Sequence, residues 1–312
     1  MKKFIISSLG FLLFTSLGYA ILLCLHGFFS PAALRGNLFM YNRSHDYSKT
    51  RFAEAAKTSN VDLLILGSSH AYRGYHTGLL REKGVVALNL GTSSQSLIQT
   101  EYLLKKYFDQ VRPKKVIIDI YPKILDSKGT ESTIQLLSIL PIDKSLTSMA
   151  FSFKDARVFN TLIFYTLKRS LGLESYRSLD LPSTKNTYIK GGFVSNDKRG
   201  VIKAGPEVDL NFSERQKEAL EGIVAYLKEK KVDYYLFQAP TTMAHQNSFK
   251  GIKGIDKQLA TYGKYYNFNA VKILPDTLFM DDNHLNTNGA LIYTEYVYNK
   301  LYGSVAPVAT IK

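Results

Sequence analysis

The chain has 312 residues, of which 45% are hydrophobic and 21% charged, a composition that excludes wholesale disorder, collagen and coiled coil and allows one large domain or two modest ones. Its formal net charge of +14 permits nucleic acid, an anionic membrane surface or an acidic polymer as partner. A single Cys and six His, none in an HxH or HExxH pairing, exclude an intramolecular disulfide and predict neither a metal site nor a cofactor.

The first predicted element is a long apolar helix at the amino terminus. Lys2 and Lys3 precede residues 4–29, which contain no Asp, Glu, Lys or Arg. As a helix this run would extend about 39 Å, more than the ~30 Å of a bilayer core. Residues 1–30 are therefore predicted to be a membrane anchor or a signal segment, since buried core helices of this length usually carry a polar face.

Two features of this segment bear on its fate and orientation. Gly18-Tyr19-Ala20 is typical of a small-x-small cleavage site, but the apolar run continues to Leu25, which favours an uncleaved anchor. The two lysines precede the run, and the nearest charge after it is Arg35. This asymmetry favours a cytoplasmic amino terminus and an exported body.

Residues 31–58 form a polar, predicted irregular lead-in to an α/β domain over residues 59–305. In that domain five short apolar runs, each followed by Gly or Pro, are predicted strands: 61–66, 85–90, 115–121, 232–237 and 270–274. Amphipathic stretches are predicted helices: 94–111, from a capping box at Ser213–Gln216 to about 230, and 288–301. This alternation indicates a three-layer α/β/α sandwich with a central parallel five-stranded sheet, flavodoxin-like in arrangement.

An insertion at about 124–205 interrupts the alternation. It contains helix-like segments at 134–140 and 159–171 and a Gly- and Lys-rich stretch at 188–200. It is far longer than the ~2–6 residues of an ordinary connection. We expect it either to cover the carboxyl edge of the sheet as a substrate wall or lid, or to be a peripheral helical decoration.

Polar clusters follow three of the predicted strands, at the edge of a parallel sheet where ligands bind. Ser69 follows the first strand, Gly91 follows the second, and Asp281 and His284 follow the fifth. A serine nucleophile needs a base, and the base needs an orienting carboxylate. We predict Ser69 as nucleophile, His284 as base and Asp281 as orienter, with the backbone N–H groups of Ser69 and Gly91 as the oxyanion hole.

The same residues carry a resemblance to a known superfamily. Gly67-Ser68-Ser69-His70, Asn89-Leu90-Gly91 and Asp281-x-x-His284 resemble the first, second and fifth blocks of the SGNH/GDSL hydrolases, with Ser68 in place of the usual Asp. The variant is most similar to membrane-anchored members that act on bacterial envelope polymers.

The resemblance implies an acyl-ester hydrolase or O-acyltransferase that works through a Ser69 acyl-enzyme. The implied substrate is an envelope polysaccharide, glycan or other acyl ester, with a membrane-bound acyl donor protein as a further partner in the transferase case. It implies no cofactor and no metal. The expected location is a membrane-anchored body in the bacterial periplasm or at the cell surface.

One block departs from the superfamily pattern. The third block normally supplies an Asn to the oxyanion hole, whereas Asp119-Ile120-Tyr121-Pro122 follows the third strand here. Gln95 or a residue of the insertion is the hypothesised substitute, and Asp119 is not assigned the role. The accessory candidates are Arg73, for a substrate anion or a carboxylate partner, His70, and Asp282 as orienter if the register shifts by one.

Four other interpretations compete with this one. A catalytically degenerate SGNH-like glycan-binding or assembly protein remains the alternative, because the third block is absent. An α/β-hydrolase and a P-loop or dinucleotide fold are excluded, since the chain lacks GxSxG, GxxxxGK[ST] and GxGxxG after the first strand. Basic residues are spread along the chain, so nucleic acid is not the expected partner.

Overall fold

The computed structural model describes residues 1–31, 34, 46–173, 183, 185–200, 202 and 205–303. The chain divides into two compact units. The smaller comprises 1–42 and 130–178, and the larger 43–129 and 179–312. The predicted insertion at 124–205 is thus shared between the two units, and most of the predicted lead-in lies outside the described residues.

The bounds of the regular elements are as follows. The helices are α1 (Lys2–Phe29), α2 (Ser48–Ala55), α3 (Ser69–Gly74), α4 (Thr77–Glu82), α5 (Leu97–Val111), α6 (Thr130–Ile139), α7 (Lys144–Ser152), α8 (Ala156–Ser170), α9 (Glu214–Glu229), α10 (Met243–Asn247), α11 (Ile252–Tyr262) and α12 (Thr287–Tyr302). The strands are β1 (Leu63–Leu66), β2 (Ala87–Asn89), β3 (Lys115–Asp119), β4 (Thr187–Ile189), β5 (Phe193–Ser195), β6 (Val208–Asp209), β7 (Asp233–Gln238), β8 (Phe249–Lys250) and β9 (Lys264–Asn267).

The larger unit is built on a five-stranded sheet of order β2-β1-β3-β7-β9, in which every neighbouring pair is parallel. Helices flank the sheet: α5 packs against α9, and α12 packs against α3 and α4. The predicted α/β fold with a central parallel five-stranded sheet is confirmed. The strand order reverses between β1 and β3, so the loops after these two strands meet where ligands bind in open α/β sheets.

Four of the predicted strands are observed within two residues at each end, but the fifth prediction was wrong. Residues 270–274 are not a strand, because Val271 and Ile273 are largely exposed and only Leu274 enters the core. The fifth strand is β9, which precedes them. Its tyrosine-rich sequence is only half-buried because it forms the edge of the sheet, so the strand lacks the continuous apolar run of a central strand.

Helix α9 begins at the predicted residue, but the capping box expected there does not form. Ser213 donates its hydroxyl to the carbonyl of Leu125, and the Gln216 side chain accepts from the Leu97 N–H. A capping box closes instead at the start of α5, between Ser96 and Gln99. Tertiary hydrogen bonds therefore replace the local ones at Ser213.

Helix α2 lies within the lead-in predicted to be irregular. Its Arg51 is wholly buried, with the guanidinium donating to the carbonyls of Asp46 and Gly192 and lying 4.8 Å from the ring centre of Tyr72. These bonds join α2 to the turn of the β4–β5 hairpin. The helix is thus stabilised by contacts distant in sequence, which local periodicity does not report.

The smaller unit contains α1, α6, α7 and α8. Helix α1 has a mean hydropathy of 2.0 over its most apolar window, and by length and composition it could cross a membrane. This agrees with the predicted amino-terminal apolar helix. Helix α8 packs against α1, α6 and α7.

Candidate active site

Ser69 stands at the start of α3, directly after β1. Gly67 turns the chain off the strand with φ +151°, and a Cβ there would lie 2.7 Å from the carbonyl oxygen of Asp119. Ser68 accepts the N–H of His70 and so caps the helix. The tight turn leaves Ser69 partly exposed and its N–H, in the first helical turn, unengaged by any described residue.

The structure brings Ser69, His284 and Asp281 into one hydrogen-bonded line, although 215 positions separate the first two. Ser69 Oγ lies 2.7 Å from His284 Nε2. His284 Nδ1 lies 3.0 and 2.9 Å from the two carboxylate oxygens of Asp281. Because a carboxylate faces Nδ1, that nitrogen carries the ring proton, and Nε2 is left to accept from the serine hydroxyl.

The Asp281 carboxylate is fixed by its own loop. Its Oδ1 accepts the backbone N–H groups of Asn283 and His284, at 3.0 and 2.8 Å. Burial raises the pKa of Asp281, but the hydrogen bond and charge of His284, together with these two N–H groups, outweigh burial and lower the pKa to about 2. Asp281 is therefore ionised over the whole physiological range and can stabilise an imidazolium at His284.

Gly91 packs closely against the turn that carries Ser69, where the lack of a side chain lets the two backbone segments approach each other. A Cβ at Gly91 would lie 2.8 Å from the Cβ of Ala71 and 2.9 Å from the carbonyl of Ser68. The Gly91 N–H already donates to Asn89 Oδ1 at 2.9 Å. The predicted role of Gly91 in the oxyanion hole thus requires this bond to be exchanged for one to the substrate.

Two accessory candidates are engaged elsewhere. The Gln95 side chain is wholly buried; its oxygen accepts from the Thr92 hydroxyl and one of its two N–H groups donates to the Thr100 hydroxyl. Arg73 is buried and donates to Asn186 Oδ1 and the carbonyl of Val194. Among the described residues, amide and carbonyl oxygens accept from the Arg73 guanidinium where a substrate anion or a carboxylate was considered.

Asp119 is enclosed behind the site. Its side chain is fully buried, and Oδ2 accepts the hydroxyl of Tyr75 at 2.8 Å. Burial raises the pKa of Asp119 to about 7, against the opposing hydrogen bonds from Tyr75 and the Ala239 N–H. An ionised carboxyl in this place has no proton to donate to an oxyanion. Asp119 therefore does not take the role of the third-block Asn in that form, as expected from the sequence.

A second carboxylate–imidazole–hydroxyl line, which sequence reasoning missed, lies beside the first. The Tyr121 hydroxyl is 2.7 Å from His245 Nε2. His245 Nδ1 is 3.2 Å from Asp282 Oδ2, an ion-pair separation without hydrogen-bond alignment. Asn283 donates its amide to the Tyr121 oxygen at 3.3 Å. Asp282 thus faces His245, and the register shift considered for the orienter does not occur.

This second line holds the loop that carries His284. Burial lowers the pKa of His245, and the nearby charge of Lys123 lowers it further, so the imidazole is neutral and Nε2 accepts from Tyr121. Thr242 donates both its N–H and its hydroxyl to the carbonyl of Asp282. The position of Tyr121 just after β3 could have flagged it from sequence, whereas His245 had no such signal.

His70 lies between the two lines. Its ring stacks on Tyr121 with centres 4.0 Å apart and lies 5.0 Å from the ring of His284. Burial, followed by the charges of His284 and His245, holds the pKa of His70 well below its usual range. Its Nε2 is buried without a hydrogen-bond partner in the described part of the chain. A neutral His70 thus adds no positive charge beside His284.

No group of His, Cys, Asp and Glu within the described ranges has the arrangement of a metal site. A hydroxyl backed by an imidazole and a carboxylate can attack an acyl carbon.

No protein-family model matches the chain, and no curated protein matches it. Among solved structures, the chain is similar to a lipolytic protein of the G-D-S-L family from Desulfitobacterium hafniense DCB-2, at 14% identity and a TM-score of 0.40, over 78% of this chain and 100% of that one. It is also similar to an acylhydrolase from Bacteroides fragilis NCTC 9343, at 9% identity and a TM-score of 0.40, over 83% and 96%.

A GDSL-like lipase from Bacteroides thetaiotaomicron VPI-5482 is similar at 10% identity and a TM-score of 0.40, over 83% of this chain and 97% of that one. Two of these three structural neighbours are thus named for the GDSL family and the third as an acylhydrolase. At such low identities and TM-scores they fix neither family nor substrate. The functional conclusion depends on the geometry of the side chains.

Proposed function

We propose that the chain is a serine-dependent acyl-ester hydrolase or O-acyltransferase that acts on a cell-envelope polysaccharide or glycan through a Ser69 acyl-enzyme. The observation that carries the proposal is the continuous line from Ser69 Oγ through His284 to Asp281, with hydrogen-bond distances of 2.7 to 3.0 Å. The pKa of Asp281, lowered to about 2, keeps its carboxylate ionised behind the imidazole, as nucleophilic attack requires.

In the first half-reaction, Ser69 Oγ attacks the acyl carbon while His284 Nε2 takes the hydroxyl proton. The carbonyl electron pair moves to oxygen and forms a tetrahedral oxyanion. When the carbonyl re-forms, the bond to the leaving alcohol breaks, and His284 returns the proton to that alcohol. Asp281, ionised at neutral pH, stabilises the imidazolium between the two transfers.

In the second half-reaction, an acceptor hydroxyl loses its proton to His284 and attacks the acyl-Ser69 carbon. Collapse of the second oxyanion breaks the bond to Ser69 Oγ, which takes the proton back. Water as acceptor makes the chain a hydrolase, and a sugar hydroxyl makes it a transferase. A transferase would receive its acyl group from a membrane-bound donor protein.

The oxyanion would be met by the N–H of Ser69, and by that of Gly91 once the Gly91 bond to Asn89 is exchanged. Removing one such donor typically costs about 3–4 kcal/mol of transition-state stabilisation. The site therefore offers one donor at once, and its second donor becomes available only when the Gly91 N–H leaves Asn89.

The proposed setting is outside the cytoplasm, with α1 as an anchor. The lysines before α1 support this orientation. The net charge of +14 suits an anionic polymer or lipid surface.

A fluorophosphonate probe tests the proposal on the full-length protein in detergent. We expect wild type to be labelled and Ser69→Ala to remain unlabelled. Ser93→Ala is the matched control, because Ser93 is a part-buried hydroxyl in the neighbouring loop and should leave labelling intact. Equal labelling of wild type and Ser69→Ala would refute Ser69 as the nucleophile.

The second candidate is a catalytically degenerate glycan-binding or assembly protein. It is favoured by the engaged Gly91 N–H and by the lack of an Asn in the third block. Absence of labelling in wild type, with retained binding of an envelope glycan, would support it. Release of acyl groups to water, compared with transfer to an added polysaccharide, then separates hydrolase from transferase.

A further inference from the structure

We propose that a cleft on the outer edge of β2 binds an anionic sugar, one that carries a carboxylate or a phosphate. We call it the β2 cleft. It lies entirely in the larger unit, and the inference does not depend on the chemistry of Ser69. The residues that define the cleft are Glu54, Lys57, Ser59, Arg81, Val86 and Lys190.

The cleft forms where four segments meet at one edge of the sheet. Strand β2 is the outermost strand on this side, and residues 86–88 line the cleft. The other lining residues come from α2 and the segment after it, from the last turn of α4 and from the turn of the β4–β5 hairpin. The cavity volume is about 320 Å³, at the low end of the ~300–1,000 Å³ typical of ligand clefts. This volume suits a single small ring.

Three of the lining residues are cationic, and each comes from a different segment. Lys57, Arg81 and Lys190 are all exposed, and none of them makes an ion pair with a residue that the structure describes. Like charges gathered in one place repel one another, which costs free energy until a counter-charge binds. An anion in the cleft would remove this cost.

The carboxylates near the cleft are already engaged. Glu54 accepts the Tyr188 hydroxyl through Oε2, and its two oxygens lie 3.0 and 3.1 Å from the Gly191 N–H. Glu54 thereby holds the hairpin turn. Asp62, whose Oδ2 accepts the Val86 N–H, is paired with Lys114 at 2.8 Å. The cations of the cleft are therefore left for a ligand.

Arg81 is held in place without a ligand. Its Nη2 donates to the carbonyl oxygen of Lys190, which also accepts the hydroxyl of the buried Thr77 at 2.8 Å. The other N–H groups of the guanidinium make no hydrogen bond to a described residue. They form a planar fork that fits the oxygens of a carboxylate or a phosphate.

The rest of the lining suits a sugar ring. Val86 is 50% exposed and offers an apolar surface to the C–H face of a ring, while the exposed Ser59 offers a hydroxyl. None of the described residues that line the cleft is aromatic, so a nucleotide base would have no ring on which to stack. We therefore infer a saturated ring with an acidic substituent.

The β2 cleft is distinct from the candidate active site. The carbonyl oxygen of Gly191 accepts the Asn89 N–H at 2.7 Å, so the hairpin turn packs on the last residue of β2. Gly91 lies three residues beyond Leu88, which is up to about 10 Å along an extended chain. Neither Ser69 nor Gly91 is among the residues that line the cleft.

Saturation-transfer NMR titrations on the full-length protein in detergent test the inference. The probes are glucose 6-phosphate and glucuronate, with glucose as the neutral counterpart and inorganic phosphate as the anion without a ring. The test variant is Arg81→Gln with Lys190→Gln. Its matched control is Lys253→Gln with Lys257→Gln, which removes the same charge from exposed positions of α11, the helix that packs on β9 at the opposite edge of the sheet.

We expect both anionic sugars to bind wild type and the control variant equally, and to bind the test variant about tenfold or more weakly, because two charged contacts are lost. Glucose and inorganic phosphate should each bind wild type about fivefold or more weakly than glucose 6-phosphate. Equal affinity for glucose would refute the role of the cations, and equal affinity for inorganic phosphate would refute recognition of the ring. Equal affinity of the test and control variants, or no binding to wild type, would overturn the inference.

Two further variants cover misfolding and the wrong site. Lys57→Gln removes a side chain that bonds to no described residue, so the fold should persist while affinity for glucose 6-phosphate falls several-fold; unchanged affinity would count against the cleft. Ser69→Ala should bind this sugar as tightly as wild type, and loss of binding would place the sugar in the active site instead. Failure of fluorophosphonate labelling would refute the proposed function and leave this inference standing.

Discussion

Asp119 should make the stability of the larger unit depend on pH in a direction opposite to that of most carboxylates. Its side chain is fully buried, and burial raises its pKa from 3.8 to about 7 in the folded protein. A raised folded-state pKa stabilises the fold fully below pH 3.8, and this stabilisation is lost as the pH rises toward 7. At 1.36 kcal/mol per pKa unit, the shift of roughly three units corresponds to about 4 kcal/mol.

The substitution Asp119→Asn isolates this contribution. Asparagine has nearly the same shape and can still accept the Tyr75 hydroxyl, but it does not titrate. Urea unfolding in non-ionic detergent, at a series of pH values from 4 to 8, gives the difference in unfolding free energy between the variant and wild type. We expect the variant to gain about 4 kcal/mol relative to wild type across that range, because all other titrating groups cancel in the difference.

A second substitution checks the cause. Tyr75→Phe removes a donor that favours the ionised carboxylate, so the loss of wild-type stability should shift to higher pH. If the difference in unfolding free energy between Asp119→Asn and wild type stays constant between pH 4 and 8, the prediction is refuted. Burial would then not control the ionisation of Asp119.

Three further predictions concern the candidate site. Asp281→Asn should lower the rate of fluorophosphonate labelling by about 10³- to 10⁴-fold, because the His284 tautomer is no longer fixed, and a rate within tenfold of wild type would contradict the assigned orienter. Tyr121→Phe removes the hydroxyl that accepts from Asn283 in the loop of His284, a hydrogen bond worth about 1 kcal/mol, so labelling should slow about fivefold with an altered pH profile; an unchanged profile would reduce Tyr121 to a packing residue. Gly67→Ala should destabilise the protein by about 1–3 kcal/mol in urea unfolding, since its Cβ would meet the carbonyl of Asp119, whereas wild-type stability would show that the turn relaxes freely.

Much of the architecture could be predicted because it depends on local pattern. The continuous apolar runs of the central strands mark burial on both faces, and four strands lie where these runs predict. The edge strand β9 was not predicted because its residues are only half-buried. An edge strand of this kind does not need the continuous apolar run that marks a central strand. The burial of Arg51 in α2 could not be predicted from the sequence either, because the residues that bind its guanidinium include ones distant in the chain.

The candidate site divides in the same way. The residue types and the strand-end rule were enough to select Ser69, His284 and Asp281, because parallel strands deliver their carboxyl ends to one edge whatever the details of packing. The rule says nothing of His245, which reaches Tyr121 only through α10.

The sequence by itself determined a long apolar helix, a parallel sheet and the polar residues at the ends of its strands, since each of these is encoded within a few neighbouring positions. Only the tertiary structure decided which of two adjacent carboxylates faces which imidazole. Asp281 faces His284 and Asp282 faces His245 because consecutive side chains in a loop point in different directions, and the packing of distant segments chooses between them.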